Sequence, residues 1–116
     1  MRITLCAIGF TLTDAMVQHV KGRIRMSLAT ASDRIDTVSV RLTDINGTRG
    51  GVDKRCRVVI LLRHLQAIVV DAVHPDLYVA VDDAIGRAKR SVWRHIKRRR
   101  TLRREYANRQ PGPVPA

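Results

Sequence analysis

Aromatic residues are almost missing from this chain. Phe10, Tyr78, Trp93 and Tyr106 are the only four in 116 residues. That excludes a single-strand nucleic-acid binder built on rows of stacking rings. Cysteine is equally sparse: Cys6 and Cys56 stand 50 residues apart, with no CxxC and no paired histidines. No metal-ligand spacing is present, and no disulfide is indicated. Both cysteines sit in apolar, strand-like stretches, where the thiol is expected to serve as a small buried hydrophobe. No apolar run approaches the ~20 residues of a membrane span. Met1 to Phe10 leads into Thr and Asp rather than a small-residue cleavage site, so no secretory signal is read and the cytoplasm is the expected location.

Acids are also in short supply, with 10 Asp and Glu against 22 Lys and Arg, a net charge of +12. The excess is concentrated. Residues 87–109 hold 11 of the basic residues and one acid, Glu105. Such a block attracts a polyanion by its field and by counterion release, or else serves as a solubilising tail. Apolar residues make up 45% of the chain, enough for one packed domain.

Residues 2–8 are short, apolar and β-branched, and read as a strand. After a loop at Gly9–Thr11, Thr13 is placed to cap a helix with Asp14 in its first turn. Met16, Val17, Val20, Ile24 and Leu28 recur at helical spacing, which predicts an amphipathic helix over about 14–29. Val38, Val40 and Leu42 alternate with polar residues as in a half-buried strand. Residues 46–51 (NGTRGG) predict a hairpin turn. A third strand follows at 55–62, with Cys56, Val58, Ile60 and Leu62 on one face. A fourth lies near 67–73, with Ile68, Val70 and Ala72 inward, because the other register would bury Asp71.

Pro75 ends that strand, and Asp76 is placed to cap a long helix starting at Leu77. Leu77, Val81, Ala84, Ile85, Ala88 and Val92 form one stripe on a 3.6-residue wheel. Arg87, Arg90, Arg94 and Arg98 form a second, rotated by roughly 120°. Beyond Ile96 the apolar stripe fades, and Arg99 and Arg103 fall where core residues would be. Helix formers continue to about residue 105, so the helix would span ~43 Å and its last turns would project into solvent or order against a partner. One domain is expected over 1–106, with a disordered, proline-rich tail over 107–116. The element order β-α-β-β-β-α predicts an α+β two-layer sandwich: a four-stranded sheet with two helices on one face, and its first two strands parallel if adjacent.

Chemistry has little to work with. His19, His64, His74 and His95 are scattered, and Asp82 and Asp83 point about 100° apart on a helix, as salt-bridge partners would. No phosphate-binding glycine loop is present. The reading is therefore no enzyme, no cofactor, no metal and no small-molecule substrate. Tyr78 reads as packing at a rim or as a stacking residue, and Trp93 as a base-stacking ring or as cover for a sheet edge. The basic stripe is the main functional candidate: arginines at i, i+3, i+7 and i+11 make a line of charge-assisted phosphate contacts.

Two segments carry a resemblance. Thr13 to Ile24 (TDAMVQHVKGRI) and Asp76 to Arg94 (DLYVAVDDAIGRAKRSVWR) resemble the two helices of the short ribosome hibernation promoting factor and ribosome-associated translation inhibitor family, also called sigma-54 modulation proteins. The likeness extends over residues 2–100. It implies a stress or stationary-phase translation inhibitor that binds the small ribosomal subunit, through ribosomal RNA, in the channel used by messenger and transfer RNA. It implies RNA-facing roles for Arg23, Arg87, Arg90, Arg94 and Arg98, with Lys21, Arg25, Lys89 and Lys97 beside them. Asp76, Tyr78 and Asp82 match the family's helix-start motif. No membrane is implied, and no dimerisation domain of the long-form type is read. The alternative is a general double-stranded RNA or nucleic-acid binding module. The arginine run beyond Lys97 is heavier than the resemblance implies.

Overall fold

The computed structural model describes residues 1–45 and 53–109. Strand β1 (Arg2–Ile8) leads into helix α1 (Asp14–Leu28), and a 3-10 segment (Ala29–Arg34) turns the chain back. Strands β2 (Ile35–Asp44), β3 (Lys54–Leu62) and β4 (Ala67–His74) follow, then helix α2 (Leu77–Arg109). The sheet order is β1-β2-β3-β4. The first pair is parallel, as a crossover through α1 requires, and the other two are antiparallel. The expected two-layer architecture is therefore present. The predicted hairpin turn at 46–51 lies outside the described residues, although β2 and β3 pair as a hairpin would.

Local chemistry explains the boundaries. Thr13 Oγ1 accepts from the Met16 N–H at 3.2 Å and caps α1. Asp76 Oδ1 accepts from the Tyr78 N–H at 2.9 Å and caps α2. Gly9 turns the chain out of β1 at φ +88°, a conformation that suits glycine. Leu65 adopts φ 71° in the β3–β4 turn, costing about 1 kcal/mol for a residue with a Cβ. Its N–H donates to the Leu62 carbonyl, and the Leu62 N–H to that of Gln66, each at 2.9 Å.

The core lies between the sheet and the helices. Val38, Val40 and Leu42 of β2 and Cys56, Val58, Ile60 and Leu62 of β3 are buried against Val20, Ile24 and Leu28 of α1. The predicted α2 stripe is buried too, joined by Ala80 and Ile96. In β4, Ile68 and Ala72 are buried, while Val70 is half-buried because β4 is an edge strand. Cys56 behaves as the small hydrophobe expected of it, and burial pushes its thiol up to about 12. Cys6 does not. The register of β1 sets it opposite Arg41 on the uncovered face of the sheet, where it is exposed, while Ile3, Leu5 and Ala7 turn toward the helices. On that open face Asp71 of β4 is held by Arg57 at 3.0 Å and Arg55 at 3.2 Å. These pairs hold its carboxyl below the usual carboxylate range, Arg57 contributing most.

Helix α2 continues to Arg109, past the expected end near 105, so residues 107–109 are helical rather than the start of a disordered tail. Residues 110–116 lie outside the described residues. At 1.5 Å per residue its 33 residues run ~50 Å. Every residue from Lys97 to Asn108 is exposed. No helix among the described residues is long and apolar enough to cross a membrane.

Candidate nucleic-acid interface

The basic residues of α2 fan out rather than forming a single line. Arg87 lies on the β4 side. Its Nη2 pairs with Asp83 at 3.0 Å, one turn earlier, and its Nη1 donates to the Asp71 carbonyl at 3.2 Å. It is therefore already committed within the chain. Lys89, Arg90, Arg94 and Lys97 surround Trp93 in a surface depression of about 500 Å³. Among the described residues none of these four cations pairs with a carboxylate. Arg98 turns toward the other end of the molecule, beside His64, Gln66 and His95.

Trp93 links the core to the basic depression. It is half-buried, packs against the core, and still lines the basic depression. Its ring is thus fixed by packing, with the four cations around it.

On α1 the expected patch of Lys21, Arg23 and Arg25 is split. Arg23 faces α2, where its Nε approaches Asp82 Oδ1 at 3.1 Å. Its N–H is not aimed well enough to make a hydrogen bond, so the contact is ionic. Lys21 and Arg25 stand two positions away, about 200° around the helix, and so point away from α2. Lys21 is half-buried and Arg25 exposed.

The helix-start motif has a clear structural role. His19 Nε2 donates to Asp82 Oδ1 at 2.8 Å; a carboxylate can only accept, so the proton is on nitrogen. The edge of one ring meets the face of the other where His19 and Tyr78 pack, centroids 4.8 Å apart and planes at 89°. Asp76, Tyr78 and Asp82 thus start α2 and clamp α1 onto it. Tyr78 remains partly exposed at the rim. The periodicity of the sequence could not reveal His19 as their partner, because 63 residues separate it from Asp82. Among the described residues no group of three or more His, Cys, Asp or Glu is arranged to hold a metal ion.

The profile of one family, described as sigma 54 modulation protein / S30EA ribosomal protein, matches residues 3–100. The chain belongs to this family. Two solved structures share the fold of this S30EA-family chain. One is a ribosomal subunit interface protein from Coxiella burnetii, 14% identical, with a TM-score of 0.73 over 84% of this chain and 99% of that one. The other is the N-terminal domain of Protein Y from Thermus thermophilus, 23% identical, with a TM-score of 0.68 over 82% of this chain and 99% of that one. No curated protein sequence matches the chain. At such identities the two structures speak to the fold. The S30EA profile covers both helix segments whose sequence carried the resemblance, and it stops at residue 100, within the exposed arginine run of α2.

Proposed function

We propose that this chain is a translation-inhibiting hibernation factor of stressed or stationary-phase cells, acting without catalysis by occupying the messenger and transfer RNA channel of the small ribosomal subunit. The observation that carries the reading is the depression around Trp93. Four cations on one rigid helix face, without a carboxylate partner among the described residues, offer a row of phosphate contacts about a ring that can stack on a base. Membership of a family described as ribosomal supports a ribosomal partner, and the Coxiella relative is itself named for a subunit interface. Arg98 and the α1 cations Lys21 and Arg25 widen the contact. Arg23 and Arg87 act chiefly by fixing helix geometry, because each already holds a carboxylate. The setting this requires is cytoplasmic.

The test is co-sedimentation of the purified chain with separated small and large subunits at two salt concentrations. Stoichiometric binding to the small subunit that survives moderate salt is expected. About four phosphate contacts imply a log–log salt slope near −3 to −4. Equal binding to both subunits and to free duplex RNA, lost at moderate salt, would make the chain a general nucleic-acid module instead.

A further inference from the structure

The arginine-rich part of α2 leaves the domain past a shaped surface. Ile96 is the last buried residue of the helix's core stripe. Beside it α2 passes the β3–β4 turn and the end of the 3-10 segment. There Arg34, Arg63, Arg99, Arg100 and Arg103 surround a notch of about 450 Å³. Leu62 and Ile96 give it an apolar floor, and His64 stands at its wall. Its volume falls within the ~300–1,000 Å³ of ordinary ligand sites.

Three separate stretches of chain bring these arginines together. The Arg63 N–H donates to the Arg34 carbonyl at 2.9 Å, which locks two of the stretches by their backbones. The third is held by Ile96, only 2% exposed. Among the described residues no carboxylate lines the notch, and none of the five guanidiniums pairs with one. A surface serving only solubility would intersperse both signs of charge. Five like charges set around one depression repel one another until an anion enters.

We propose that this notch is a second anion site, distinct from the Trp93 face, which grips a run of closely spaced phosphates. Arginine suits the task because its planar fork bonds two phosphate oxygens at once, and several forks around one depression can share a chain of phosphates. The phosphates come from an RNA backbone or from a free polyphosphate, since the recognising chemistry is the same. The site does not depend on the ribosomal reading.

The probe is inorganic tripolyphosphate, titrated calorimetrically into the full chain at fixed salt. Two double variants are compared with the parent: Arg34→Gln with Arg63→Gln, neither on α2, and Arg90→Gln with Arg94→Gln at the Trp93 face. One saturable site is expected, weakened at least tenfold in the first variant and less than twofold in the second. No saturation, or equal loss in both variants, would overturn the proposal. Should the first variant melt early, Arg99→Gln with Arg103→Gln provides the same comparison from exposed positions. Small-subunit binding then separates the two sources. A weaker complex with a salt slope reduced by about two assigns RNA phosphates. An unchanged complex assigns a free polyphosphate.

Discussion

His19 of α1 and Asp82 of α2 are joined at 2.8 Å, and Arg23 reaches the same carboxylate oxygen at 3.1 Å. One acid therefore holds two groups of the first helix and sets the position of α1 against α2. Asp82→Ala removes both partners and leaves the Arg23 Nε, already shielded from solvent, beside an apolar methyl. Charge-assisted bonds reach about 1.5–3 kcal/mol, but these side chains are partly exposed, so a loss of about 1 kcal/mol is expected. Urea unfolding with an unchanged m-value is the check. An unaltered midpoint would mean that core packing alone positions α1.

Reversing two cations of the Trp93 face, Arg90→Glu with Arg94→Glu, should abolish small-subunit binding without unfolding the chain. Both residues are exposed and, among the described residues, neither pairs with a carboxylate, so their stability cost stays near ±0.5 kcal/mol each. Losing two charged contacts of about 1.5 kcal/mol each weakens binding about a hundredfold, and repulsion adds to that. Sedimentation with subunits reads the loss, and circular dichroism reads the fold. Retained binding by a folded double variant would sink the assignment of this face.

Arg87 separates what the sequence could show from what it could not. Its place on the basic stripe was legible from spacing alone. Its commitment to Asp83 and to the Asp71 carbonyl was not, because the second contact depends on how α2 lies across β4. The same holds for the arginine notch: Arg34 and Arg63 are isolated basic residues in sequence and meet Arg99 only through three-dimensional packing. Alternation in β2, β3 and β4 and the α2 stripe were legible because burial repeats with the period of the element. The 3-10 segment at Ala29–Arg34 carries no such period. In β1 Arg2 and Thr4 share the face of Cys6, so the alternation already marked that face as the open side of the sheet, and reading the run by its apolar content alone missed it.

Asp71 predicts an acid-sensitive contribution on the open sheet face. Its folded carboxyl lies below the ordinary value of 3.8, because Arg57 and Arg55 stabilise its charged form. The stability it supplies is fully present above that ordinary value and is lost as pH falls through the lowered folded value. Asp71→Asn should therefore be less stable than the parent near neutral pH, and the gap should close as pH falls below 3.8 and through the lowered folded value. Thermal melts of both chains across pH 2–7 measure it. A gap that stays constant down to pH 2 would show that the arginine pairs contribute nothing linked to this proton.

Truncation tests what the projecting end of α2 does for the fold. Leu102 and Tyr106 are 57% and 67% exposed, and every residue from Thr101 to Asn108 is exposed, so this stretch covers no part of the core. Deleting residues 101–116 should leave the unfolding midpoint within about 0.5 kcal/mol of the parent, the range of ordinary surface changes. The far-UV helical signal should fall by the share of the residues removed from α2. A helix end without tertiary packing frays, so a drop smaller than that share would mean the last turns order only against a partner. The deletion also removes Arg103, Arg104 and Arg109 with Glu105, a net charge of +2. If the extension follows a phosphate backbone, the salt slope of subunit binding becomes shallower while the melting curve does not move. A destabilised truncation would instead show that the extension contributes to the domain's own packing.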